Sequence, residues 1–263
     1  MCQLLGMNCN TPTDILFSFE GFHRRGGLTD QHADGFGIAF FEGVGCRLFL
    51  DDQASAHSPV SDLIRRYPIK SKNVIAHIRK ATQGRVALEN THPFHRELWG
   101  RNWIFAHNGN LEHFAPARGQ YYRPVGDTDS EAAFCHLLET LRQRFAEPPP
   151  LAELTAAVRE LAASIRAHGV FNFMLSNGDV LFTHCSTHLH YLVRQAPFSV
   201  AHLVDNDVSI DFAEVTTPSD RVAVIATQPL TDNETWTAHP KDTVLVFRDG
   251  APLEETWDGG VDV

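Results

Sequence analysis

Residues 130–167 read SEAAFCHLLETLRQRFAEPPPLAELTAAVRELAASIRA, and the rest of the chain is arranged around this stretch. Ala133, Phe134, Leu137, Leu138, Leu141 and Phe145 recur three and four residues apart, which makes one apolar stripe and predicts a helix over Ser130–Phe145. Pro148-Pro149-Pro150 stops it, and Leu151–Ala167 reads as a second helix. On both sides the pattern changes to short apolar runs of strand length. Before the helices these are Gln3–Asn8, Gly35–Phe41, Cys46–Leu50, Asn73–Ile78 and Trp103–His107. After them come Val170–Leu175, Val180–Thr183, His190–Val193, Arg221–Ala226 and Thr243–Phe247. Thr13–Arg24, with Ile15, Leu16, Phe19 and Phe22 on one face, predicts a further helix. Helices set between runs of strands predict an α+β layered sandwich. Neither half has a balanced set of layers alone, so the triple proline reads as a helix–helix connection and residues 1–263 as one domain. Lys80–Leu98 reads as a long polar loop, and such loops inside compact domains are usually functional.

The formal charge of −10, with no run of Lys or Arg, argues against nucleic acid or an anionic membrane as partner. No apolar stretch is long enough to span a bilayer, and the N-terminus lacks the basic and apolar regions of a secretory signal, which points to the cytoplasm. The five cysteines, Cys2, Cys9, Cys46, Cys135 and Cys185, are odd in number and show no close metal-ligand or redox spacing. They read as reduced thiols, four of them packing as small apolar residues. The run Thr183–His190 holds three histidines and a cysteine, but the flanking strands and Asn177-Gly178-Asp179 favour a turn within a sheet over a metal site.

Four constellations carry chemistry. Removal of Met1 would leave Cys2 with a thiol and a free α-amine on one residue. An α-amine has a reference pKa of roughly 7.7–8.0, so part of it is a base at neutral pH and can activate its own side chain. In Phe105-Ala106-His107-Asn108-Gly109-Asn110-Leu111, the Asn108 amide and the Gly109 N–H could point together at one oxygen, as an oxyanion requires. Asn-Gly is also the commonest signal for a tight hairpin turn, and taken alone that reading is preferred. In Gly126-Asp127-Thr128-Asp129-Ser130-Glu131, Thr128 and Glu131 fit a capping box and Asp129 is left for a cationic group such as an α-ammonium. Arg79 closes an apolar strand at the mouth of the long loop, where a guanidinium could grip a carboxylate or make a surface ion pair.

Five motifs appear in order: Met-Cys at the start, His-Ile-Arg-Lys-Ala-Thr-Gln-Gly over 77–84, Asn-Thr-His-Pro-Phe over 90–94, Ala-His-Asn-Gly-Asn-Leu over 106–111 and Asp-Thr-Asp-Ser-Glu over 127–131. In this order they resemble the class II glutamine amidotransferases, and most of all the stand-alone bacterial members. The likeness is dense to about residue 145 and thinner through Ala226–Thr231, Trp236 and the last strand. The resemblance implies a four-layer αββα sandwich of the N-terminal-nucleophile hydrolase type. It implies Cys2 as nucleophile with its α-amine as base, and Asn108 and Gly109 as the oxyanion hole. Arg79 would hold the glutamine α-carboxylate and Asp129 its α-ammonium, with the loop after Arg79 as a lid. His77 and His92 fall in matching motifs, and His92 is placed among the substrate-binding residues. No metal or organic cofactor is implied. The chain ends soon after the sandwich should close, so the expected partners are a small-molecule substrate and an ammonia-accepting protein. Two rival readings stay open: a γ-glutamyl peptide or conjugate as substrate, and a non-catalytic binding subunit on the same fold.

Overall fold

The computed structural model describes residues 2–81 and 84–253. Fifteen strands and five helices are described. One seven-stranded sheet has the order β13 (Thr237–Ala238), β9 (His190–Gln195), β12 (Arg221–Ala226), β1 (Gln3–Thr13), β4 (Ser71–Ile78), β2 (Phe36–Glu42), β3 (Gly45–Asp51). A six-stranded sheet has the order β15 (Ala251–Pro252), β14 (Thr243–Arg248), β8 (Leu181–Cys185), β7 (Gly169–Ser176), β6 (Arg101–Leu111), β5 (Phe94–Leu98). β10 (Val200–His202) and β11 (Ser209–Asp211) form a separate ribbon followed by the one-turn α5 (Phe212–Val215). Helices α1 (Leu16–Arg24) and α2 (Pro59–Arg66) cover the first sheet, and α3 (Asp129–Arg144) and α4 (Leu151–Arg166) cover the second.

Strand alternation assigns each apolar side chain to a layer. In β1, Leu5 and Met7 pack with Phe19 and Phe22 of α1, while Leu4 turns to the other face. In β4, Val74, Ala76 and Ile78 face the helices and Ile75 faces the second sheet. In β6, Ile104 and Ala106 meet the first sheet, while Trp103 and Phe105 meet Phe134, Leu137 and Leu138 of α3. The three resulting cores, helix–sheet, sheet–sheet and sheet–helix, make a four-layer αββα sandwich, as the resemblance implied. Ring stacking adds to the last of them: Phe105 lies parallel to Phe134 at 5.1 Å between centroids. No helix among the described residues is long and apolar enough to cross a membrane.

Several elements differ from the sequence reading. β1 runs on to Thr13, which pairs with Ser71 beyond a register shift, so α1 starts only at Leu16, where the Asp14 carboxylate accepts the Leu16 N–H. The polar segment 80–98 contains a 3-10 turn, Leu88–Asn90, and all of β5; only Phe94 and Leu98 of that strand are apolar and buried, which left it without a strand signature. α2 was missed as well: Ser58 caps it by accepting the Val60 and Ser61 N–H groups, and Pro59 opens it, but it buries only Ser61 and Ile64.

Candidate active site

The starts of β1 and α3 and the ends of β4, β6 and β12 meet at one end of the sandwich. Gln3 pairs with Ile78, so Cys2 lies beside the end of β4 and the chain that leaves it. The Cys2 thiol donates to the Lys80 carbonyl at 3.3 Å and accepts the Lys80 N–H at 3.2 Å. Burial pushes its pKa up, while the Lys80 backbone and the nearby Arg79 guanidinium pull part of the way back. Cys9, Cys46 and Cys135 are pushed by burial to about 11, which suits inert packing thiols.

Asn108 and Gly109 are not in a turn. Both lie inside β6, which pairs with β7 without interruption from Ile104↔Ser176 to Leu111↔Gly169, so tertiary pairing overrides the local Asn-Gly signal. Asn108 is buried; its Nδ2 donates to the Thr227 hydroxyl at 3.4 Å, and its Oδ1 has no partner among the described residues. Thr227, which sequence reasoning did not single out, also accepts the Leu4 N–H at 2.9 Å through the same hydroxyl. One oxygen therefore joins the strand carrying Cys2 to the strand carrying Asn108. A threonine after an apolar strand is too ordinary to have been noticed; only the fold shows its position. At Gly109 a Cβ would lie 1.8 Å from the Val170 carbonyl, so the position requires glycine for close backbone approach, not for turn conformation.

Arg79 is buried, and its guanidinium donates to the Arg85 carbonyl at 2.9 Å and the Gly84 carbonyl at 3.4 Å. The surface ion pair considered from sequence is thus excluded by burial. Asp129 opens α3 and is half-buried. Its Oδ2 accepts the Leu111 N–H at 2.7 Å, so this carboxylate is engaged at the end of β6; its Oδ1 takes only a long 3.4 Å bond from the Ser130 hydroxyl. The capping box is half formed: Thr128 accepts the Glu131 N–H at 3.2 Å, but Glu131 reaches back to the Val125 and Gly126 N–H groups and to Arg96.

His92 and His77 lie beneath these groups. Their rings lie 4.2 Å apart between centroids, tilted by 35°, and Phe94 lies against His92 at 4.4 Å. Both are buried, and the His92 ring has no hydrogen-bond partner among the described residues. Burial, then the charges of His107 and Arg79, lowers His77 to about 3; burial and His77 hold His92 well below the usual range. Both are therefore neutral, and His92, expected at the substrate, lies against His77 and Phe94. In the 183–190 run, His184 turns to the Phe171 carbonyl and His190 to the Thr227 carbonyl, while Asn172 takes the Ser186 and Thr187 N–H groups. No group of three metal-ligating side chains is assembled among the described residues.

The sequence model of the family described as "Glutamine amidotransferases class-II" matches residues 1–259. A Haemophilus influenzae protein, named as an inferred glutamine amidotransferase, is 55% identical over 255 residues, covering 97% of this chain and 87% of its own length. Escherichia coli YafJ, named in the same way, is 56% identical over 237 residues, covering 90% of this chain and 93% of its own. The crystal structure of an inferred glutamine amidotransferase from Pseudomonas aeruginosa superposes with a TM-score of 0.78 at 49% identity, covering 97% of this chain and all of that one. The Bacillus subtilis glutamine phosphoribosylpyrophosphate amidotransferase shares the fold at 13% identity and a TM-score of 0.59. The chain belongs to the class II glutamine amidotransferase family.

Proposed function

We propose that residues 1–263 form a single catalytic domain that hydrolyses the side-chain amide of glutamine, with Cys2 as nucleophile after loss of Met1. The α-amine of Cys2 takes the thiol proton as sulfur attacks the amide carbon. The Asn108 amide and the Gly109 N–H receive the negative charge of the tetrahedral oxygen. Collapse expels ammonia, which takes the proton back. Water then cleaves the γ-glutamyl thioester, with the amine again accepting a proton. Arg79 holds the α-carboxylate of the substrate and Asp129 its α-ammonium. The ammonia is delivered to a partner protein.

The observation that carries this reading is the Thr227 hydroxyl, which ties Leu4, two residues after the nucleophile, to the Asn108 amide. That bridge supports nucleophile and oxyanion donor acting on one carbonyl. With Met1 still attached, burial raises the thiol pKa, which supports the need for a base. The test couples glutamate and ammonia release from L-glutamine with intact-mass analysis of the same sample. Active enzyme should have lost one methionine, and Cys2→Ser should fold and lose nearly all turnover. Full activity with Met1 retained would overturn the amine as base.

A further inference from the structure

Between Arg79 and Asp129 lies a side chain that the catalytic reading leaves unused. Asn90 closes the turn Leu88–Asn90 and is completely buried. Both ends of its amide are engaged. Nδ2 donates to Asp127 Oδ1 at 2.6 Å and to the Arg85 carbonyl at 3.1 Å, and Oδ1 accepts the Asp127 N–H at 3.0 Å. The same Arg85 carbonyl accepts Arg79 Nη1 at 2.9 Å. A continuous path therefore runs from the Arg79 guanidinium through one carbonyl to the Asn90 amide, across to Asp127, and two residues on to Asp129.

The backbone around the amide leaves room for it and little else. A Cβ at Gly126 would lie 2.1 Å from Asn90 Oδ1, and one at Gly84 would lie 3.1 Å from Nδ2 and 2.6 Å from Asp127 Oδ1. The partners are a carboxylate, a carbonyl and an N–H, and a short side chain with a donor at one end and an acceptor at the other satisfies all three. An apolar replacement would orphan them, and a carboxylate would face Asp127 with like charge.

We propose that Asn90 is a positioning residue that fixes the separation of Arg79 and Asp129, and thereby the length of amino-acid head group the site accepts. The proposal rests on the reading of those two residues as the head-group binders. A staple that only holds the turn would lower the melting temperature when cut and leave substrate affinity unchanged in the folded fraction. A positioning residue changes KM for a substrate that needs both charges.

The test is steady-state glutamate release from L-glutamine, with melting curves, for Asp127→Ala, Asn90→Asp and the exchanged pair Asn90→Asp with Asp127→Asn. Asp127 is exposed, so its replacement tests the path even if the buried position tolerates no change. Loss of a charge-assisted bond predicts a KM raised about ten- to a hundredfold in each single variant. The kcat should stay within about threefold, since no donor to the reacting carbonyl is removed. The exchanged pair restores a carboxylate–amide contact in the opposite sense but leaves the Arg85 carbonyl without its donor from position 90, so it should bring KM part of the way back, below both single variants. Unchanged KM in Asp127→Ala overturns the proposal, whatever the melting temperature does. So does an exchanged pair no better than the single variants. Failure of the underlying reading looks different: wild type itself would then hydrolyse N-acetyl-L-glutamine as readily as L-glutamine.

Discussion

Acid should destabilise this protein through two buried rings. His77 is completely buried with its pKa held at about 3, and the adjoining His92 is held well below its ordinary value, so both stay neutral in the fold. In the unfolded chain each returns to a pKa of about 6.5. The folded pKa values are depressed, so the stabilising contribution is fully present above the unfolded pKa and is lost as the pH falls below about 6.5 towards about 3. At pH 5, about 1.5 units below its unfolded value, protonation of His77 in the unfolded chain is worth about 2 kcal/mol at 1.36 kcal/mol per unit. His92 adds in the same direction, and the His77 contribution alone is a large share of a typical domain stability of about 5–15 kcal/mol. Urea denaturation at pH 7.5 and pH 5 measures the change directly. Other buried histidines add to the wild-type loss, so the informative quantity is the difference from a His77→Gln variant. That variant will be less stable at both pH values, but it should lose about 2 kcal/mol less between them. An identical pH dependence in wild type and variant would refute the assignment of a neutral His77.

Three other outcomes follow from the site. Asn108→Ala should lower kcat by about 10²–10³ with little change in KM, since an oxyanion donor acts only when charge develops; a melting curve beside the kinetics separates this from lost stability. Gly109→Ala should fail through the backbone, because its Cβ would meet the Val170 carbonyl at 1.8 Å and force β6 from β7; its melting temperature should drop well below that of Asn108→Ala. Arg79→Ala and Asp129→Ala should each cut kcat/KM for glutamine about ten- to a hundredfold, and wild type should reject substrates with a blocked carboxylate or amine while the matching variant discriminates much less.

The parts of the fold legible in the sequence are those in which one face carries the whole signal. α3 and α4 have apolar stripes several turns long, and the central strands are dense enough in Ile, Phe and Val to be seen without alignment to a partner. β5 was hidden because its three middle residues, His95, Arg96 and Glu97, are polar and only its ends are buried. α2 was hidden because Leu63 is 55% exposed and one large apolar residue, Ile64, faces the core. At the site, residue types were legible and pairings were not. Asn108-Gly109 carries the local signature of a turn, yet eight consecutive residue pairs with β7 hold it extended. The capping signal at Thr128 was real, but Glu131 closes onto Val125 and Gly126 instead of its own N-cap. Thr227 acts by joining segments far apart in the chain, over 119 residues to Asn108, and nothing local marks such a residue; Asn90 opens one of the motifs, but its bond to Asp127, 37 residues on, is set by the fold alone.

The environment of the thiol ties these observations to the proposed chemistry. A cysteine that works as a preformed thiolate sits among cationic groups that hold its pKa down. At Cys2 burial dominates and raises the pKa, the nearby Arg79 guanidinium pulls it only part of the way back, and its hydrogen bonds are to the Lys80 backbone, which can neither give nor take a proton. Attack on an amide then requires a base that arrives with the nucleophile, and the histidines beneath the site are packed on one another, neutral and buried. The α-amine of Cys2 is attached to the residue it must deprotonate, and its reference pKa of roughly 7.7–8.0 leaves a useful fraction unprotonated near neutrality. A thiol kept protonated until substrate is bound is also shielded from oxidation, because the thiolate is the reactive form. On this reading, the burial that makes Cys2 a poor thiolate suits it to a mechanism in which the base is freed by removing one residue.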